Sequence, residues 1–162
     1  MARWERIEAE EPEFAARARE RFDAGVHKTI ATLRADGSPR ISGIEASFLA
    51  GDLWFGSMPG ARKAADLIRD PRFALHSASE DPPGWSGDAK LSGRAIEIGE
   101  GNERDRYLAA RAGDSEPDPP GSFDLFRAEI SELVIVGLND ERTRLVIEFW
   151  VEGRGLRTLA RE

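Results

Sequence analysis

Arg62 and Lys63 stand side by side at the first turn of a helix expected within "SMPGARKAADLIRDPR", Ser57 to Arg72. Cations favour the other end of a helix; at the start each is disfavoured by about 0.3–1 kcal/mol. An anion held there by free backbone N–H groups and by both side chains would reverse that balance. Gly56 and Ser57 close the preceding run, and Gly60 lets the backbone come near a ligand. N–H groups, a hydroxyl and two cations together make a cradle for a phosphate. The competing reading is a solvated basic helix face. No GxxxxGK[ST] sequence occurs, so this is not a P-loop. Charge-assisted hydrogen bonds contribute about 1.5–3 kcal/mol each, and micromolar binding needs a net of about 8 kcal/mol. The ligand is therefore expected to bury a flat apolar body as well, against strand backbone in "RISGI" and "GRAIEI". Gly43 and Gly93 within those runs suit either a close approach or a bend or bulge.

Other chemistries find less support. His27 and His76 are the only histidines, and neither sits in a metal-binding spacing. Ser42 or Ser57 with His76 would need a GxSxG elbow to read as a hydrolase, and none is present. Glu45, Asp88 and Glu148 fall within expected strands, where a buried carboxylate could be a general base and an exposed one plain alternation. Trp150 suits barrel core or a rim aromatic. With no Cys, disulfides, thiolate catalysis and Cys-ligated zinc are excluded.

The elements that would position these residues follow from pattern. The 162 residues suit one domain, and 40% hydrophobic with 33% charged composition is ordinary for a globular chain. The formal net charge of −7 argues against general nucleic-acid binding. No apolar run is long enough for a membrane span, the first residues lack a signal-peptide core, and a cytoplasmic location is expected. "PEFAARARERFD" (12–23) reads as a helix within an N-terminal helical segment, residues 1–26. "KTIATLR", "PRISGIEASFL" and "LWFGSM", joined by "ADG" and "AGD", read as a three-stranded antiparallel meander over 28–57. A helix at 61–69 stops before Pro71. "FALHSAS" (73–79) and "AKLSGRAIEI" (89–98) read as strands around the loop "EDPPGWSG", and a helix at 102–112 precedes a flexible "GDSEPDPPG". "ELVIVGL" and "RLVIEFWV" form a final pair of strands. About six or seven strands with two or three helices predict a mainly β fold, a closed or partly closed barrel that hides its edges. The tail, residues 151–162, is either a frayed terminus or a segment that reaches a second subunit or a ligand.

These residues carry a resemblance. "TIATLRADGSPRISGIEASFLAGDLWFGSMPGARKAADLIRDPRFAL", "AKLSGRAIEI" and "EFWVEGRGLRTLAR" resemble the FMN-binding split β-barrel family of pyridoxamine 5′-phosphate oxidases and their actinobacterial relatives, over about residues 27–161. The resemblance implies a homodimer with a cofactor at the subunit interface and a small-molecule substrate. By position, Arg62 and Lys63 match the pair on the FMN phosphate, Gly56, Ser57 and Met58 the strand end beside it, and Arg40, Ser42, Gly43 and Ile44 the strand beneath the ring. Trp150, with Arg157 or Arg161, matches residues from the other subunit, and Asp88 stands where a cofactor-contacting Gln is expected. Glu45 occupies the place of a substrate-binding Lys, and no His follows His76. These departures argue against a vitamin B6 phosphate substrate. The implied activity is hydride transfer by an FMN oxidoreductase. A deazaflavin-coenzyme reductase is the alternative, with an Arg-rich groove around Arg62, Lys63, Arg69 and Arg72 for its anionic tail. A non-catalytic flavin or haem carrier is the third reading.

Overall fold

The computed structural model describes residues 1–81, 83–112 and 121–161. Four helices and eight strands follow one another as α1 (Trp4–Glu10), α2 (Pro12–Asp23), β1 (His27–Leu33), β2 (Pro39–Leu49), β3 (Asp52–Ser57), α3 (Arg62–Arg69), β4 (Arg72–His76), β5 (Asp88–Glu97), α4 (Asn102–Arg111), β6 (Asp124–Leu138), β7 (Leu145–Val151) and β8 (Gly155–Arg161). The sheet runs β3-β2-β1-β4-β5-β6-β7-β8, and β3 also pairs with β6. That extra pairing closes six antiparallel strands into a barrel and leaves the β7–β8 hairpin as an extension.

The closure depends on β6. Its residues from Asp124 to Arg127 pair with β3, those from Glu132 to Leu138 pair with β7, and β5 runs along the opposite edge. The barrel interior holds Ile30, Leu53, Phe55, Phe126, Ile130 and Leu133, all within 1% of complete burial. α1 and α2 lay Trp4, Ile7, Phe14 and Phe22 over the same core, and the Trp4 and Phe48 rings stand 4.4 Å apart.

The meander, α2 and α3 form where the sequence pattern places them. The Asp36-Gly37 turn carries Gly37 at φ 82, and Asp36 accepts the Ser38 N–H at 2.9 Å. Two elements differ from expectation. β6 begins at Asp124, well before "ELVIVGL", because Leu125 to Ala128 are buried without alternation and show no period-two signal. The tail is neither frayed nor detached: Gly153 and Gly155, at φ 75 and 69, turn the chain so that β8 pairs with β7 from Gly155 to Arg161. The flexible segment expected after α4 falls mostly at residues 113–120, outside the described residues.

The two strand glycines resolve differently. At Gly93, where the β5–β6 register shifts, a Cβ would lie 1.9 Å from the Glu129 carbonyl oxygen. Gly93 is therefore a bulge residue against a neighbouring strand. At Gly43 a Cβ would meet nothing within 4 Å. Gly93→Ala is expected to destabilise the fold by about 2–3 kcal/mol, and Gly43→Ala to leave stability within about 0.5 kcal/mol. Urea unfolding of the two variants checks this; equal midpoints would contradict it.

Candidate functional site

β3 ends at Ser57, the chain turns through Gly60 at φ 73, and α3 begins after Ala61 with no side-chain cap. The first-turn N–H groups of α3 are thus left without the side-chain acceptor that usually serves them. Lys63 folds back onto β2 and donates through Nζ to the Gly43 carbonyl at 2.7 Å. Ser57 is 5% exposed, and its Oγ has no hydrogen-bond partner among the described residues. A buried hydroxyl left unpaired costs about 1–3 kcal/mol, so its place on a hollow that Lys63 also lines, between the end of β3 and an uncapped helix start, is informative.

These groups line a hollow of about 500 Å³ on the outer face of β2 and β3, within the roughly 300–1,000 Å³ of small-molecule sites. Of the residues picked from sequence, Gly43, Ile44, Gly56, Ser57, Met58 and Lys63 line it. Gly43 presents open backbone there. The far wall is aromatic: Trp54 lies 5.2 Å from Tyr107 of α4, and Tyr107 lies 6.2 Å from Phe123. Glu45 and His27, opposite one another across β1 and β2, also line it.

α4 is held over the hollow by charge. Asp52, fully buried, accepts from Arg3 Nε at 2.8 Å and from Arg106 Nη2 at 2.7 Å, which ties the N-terminus, β3 and α4 together. The Asp52 carboxylate raises the Arg3 pKa above its usual range, chiefly through that hydrogen bond.

Arg62 does not share the hollow with Lys63. Successive helical residues turn by about 100°, so Arg62 faces a second hollow of about 380 Å³ lined by Arg34, Arg40, Arg62, Arg69, Asp36 and Asp66. Arg62 is exposed and has no hydrogen bond or ion pair among the described residues. Arg40 donates through Nε to Asp66 at 2.6 Å, Arg69 donates to Asp66 at 3.1 Å, and Thr32 Oγ1 donates to it at 2.9 Å. Arg72 lies outside this group and pairs with Asp70 at 2.6 Å.

Ser42, Asp88, Trp150 and Arg157, also picked from sequence, line neither hollow. Ser42 lies on β2 opposite Ile30. Asp88, at the start of β5, accepts the Trp85 indole N–H at 3.0 Å. Arg142 donates to the Trp85 carbonyl at 3.3 Å, and neither Trp85 nor Asp88 lines the first hollow. Trp150 is completely buried in the core of its own chain, with the indole N–H directed to Glu10 at 3.3 Å, as the barrel-core reading has it. Arg157 is exposed on β8 opposite Phe149. Sequence reasoning missed Tyr107, Phe123 and Asp66, which meet their neighbours only through long-range folding.

Comparison with known proteins identifies the family. The family model for pyridoxamine 5′-phosphate oxidase matches residues 14–137, and the chain belongs to that family. No curated protein matches. Among solved structures, a pyridoxamine 5′-phosphate oxidase-related, FMN-binding protein from Nostoc punctiforme is similar at TM-score 0.64 and 13% identity, covering 93% of this chain and 95% of the other. PhzG from Burkholderia lata, in complex with tetrahydrophenazine-1-carboxylic acid, is similar at TM-score 0.59 and 16% identity, covering 93% and 87%. A heme binding protein from Mycobacterium smegmatis is similar at TM-score 0.57 and 18% identity, covering 90% and 86%. These likenesses show the fold. Among the described residues, no helix is long and apolar enough to cross a membrane.

Burial alone would push the Asp66 carboxyl up, but hydrogen bonds from Arg40, Arg69 and Thr32 outweigh it and hold the pKa below the usual carboxylate value. A depressed folded-state pKa contributes stability that is full above the unfolded value of about 3.9 and is lost as pH falls through the folded value. Asp66→Asn is therefore expected to flatten the acid limb of the stability profile below about pH 4. Thermal melts across that range check it, and parallel limbs for the two proteins would contradict it.

Proposed function

We propose that the chain is an FMN-dependent oxidoreductase acting on a small molecule in the first hollow. The observation that carries this reading is the buried Ser57 Oγ, unpaired among the described residues, on a hollow that Lys63 lines too, with an uncapped helix start following it. A phosphate there would accept from the hydroxyl, the ammonium and the first-turn N–H groups, each a charge-assisted bond. The open backbone at Gly43 and the aromatic wall of Trp54, Tyr107 and Phe123 offer a flat apolar body its surfaces. FMN, when bound, supplies the hydride chemistry. The protein's part is to hold the phosphate, shape the face of β2 beside the ring and keep water from one side through α4.

Glu45 puts a carboxylate at the hollow where a phosphorylated substrate would need a cation, which favours a neutral or cationic substrate. The active form is proposed to be a homodimer. Ile41, 75% exposed and two residues from Gly43 on β2, and Met58, 80% exposed at the hollow itself, give a second copy apolar surface to cover. Arg157, exposed on β8, is a tail residue available to that second copy.

The second hollow favours one alternative. FMN has a single phosphate, whereas Arg34, Arg40, Arg62 and Arg69 gather four guanidinium groups beside the same helix. A deazaflavin coenzyme with an anionic tail would use both hollows.

Equilibrium titration of each cofactor by fluorescence quenching separates the readings. Arg62→Ala with Lys63→Ala is expected to weaken FMN binding at least about tenfold, one lost charge-assisted bond, with most of the loss from Lys63. Deazaflavin binding is expected to lose as much from Arg62 as from Lys63. An unchanged affinity in the double variant would make both cations surface charge. Cofactor that binds but is never reduced or reoxidised faster than free cofactor would make the protein a carrier.

A further inference from the structure

We propose that Asp66 is a positioning residue for the anion cradle: its buried carboxylate sets where the first turn of α3 stands against β1 and β2, and through that turn where Lys63 meets Gly43 in the hollow that Ser57 also lines. The inference rests on the first hollow being the cofactor site.

α3 is short, and the residues it buries are Ala64, Asp66 and Leu67. An alanine and a leucine slide over a sheet surface without a defined register, because apolar contact has no direction. Asp66 supplies the direction. It is 3% exposed and takes hydrogen bonds from Thr32 on β1, Arg40 on β2 and Arg69 on its own helix. It also lies three residues after Lys63, on the neighbouring turn, so the carboxylate and the ammonium follow one helix position.

Two bonds then pin α3 to β2, Arg40 to Asp66 at 2.6 Å and Lys63 to Gly43 at 2.7 Å, from strand residues three apart. Rotating the helix to improve one would break the other. A buried ion pair is a poor source of net stability, and an apolar residue at position 66 would attach the helix more simply. What the carboxylate adds is geometry. It also neutralises charge from Arg40 and Arg69 in the second hollow, while the Nη groups of Arg40 are not used in that pair.

The test is a double-mutant cycle on FMN and deazaflavin-coenzyme binding with the full chain, using Asp66→Asn, Lys63→Ala and both together. Lys63→Ala is expected to weaken binding about tenfold and Asp66→Asn by a similar factor. The double variant is expected to bind no more weakly than Lys63→Ala alone, because Asp66 acts through Lys63. A general loosening of the fold would instead multiply the two penalties, and that result overturns the inference while leaving the cofactor site standing. If Asp66→Asn does not fold, Thr32→Val, which keeps the carboxylate and removes one of its donors, replaces it in the same cycle with the same two outcomes. A wild-type chain that binds neither cofactor overturns the site reading and this inference together.

Discussion

The barrel closes because one strand has two partners along the same edge. β6 gives its first residues to β3 and its last to β7, with β5 along its opposite side from Phe126 to Val136. Without the Asp124–Arg127 segment the sheet would be open, with β3 as a bare edge ready to pair with another chain. The same closure builds the site. Pairing Ser57 with Asp124 brings Ser122 and Phe123 beside the end of β3, directly where α3 begins. The hollow is a product of the barrel's seam, with strand ends on one side, an uncapped helix start on another and α4 as the cover.

Charge is distributed around that seam in two distinct ways. At the first hollow two polar groups are left short of partners among the described residues: Ser57 Oγ has none, and the first turn of α3 has no side-chain cap. At the second hollow the guanidiniums of Arg40 and Arg69 share a buried carboxylate, and Arg62 alone stands uncommitted among the described residues. A binding site for an anion is expected to look like the first, where desolvation has already been met and the donors await an acceptor. The Asp52 cluster that anchors α4 is a third arrangement, a carboxylate fully enclosed by Arg3 and Arg106, and its business is holding the cover in place.

Local chemistry explains what could be read from sequence. The β1–β2–β3 meander follows from its two Gly-Asp or Asp-Gly turns and from alternation, and α2 is bounded by Pro12 and its apolar face. Lys63, Gly43, Gly56 and Ser57 were visible because the spacing of a strand end, a glycine turn and a helix start is itself local. Arg62 was read with Lys63 because adjacency in sequence hides the turn between their directions. Trp150 stayed open between core and rim because an aromatic in an amphipathic strand looks alike in both; the packing of Glu10 and the N-terminal helices over β7 places it in the core. Asp66 was invisible, since its partners Thr32 and Arg40 lie on two strands, β1 and β2, distant in sequence from α3.

The central claim is that the Ser57–Lys63 corner holds the phosphate of a flavin. A crystal structure of the chain grown with FMN tests it most directly. The account predicts phosphate oxygens within about 3 Å of Ser57 Oγ and Lys63 Nζ, with the ring lying along β2 at Gly43. A phosphate seated instead among Arg34, Arg40, Arg62 and Arg69, or crystals with no flavin in the first hollow, would contradict it.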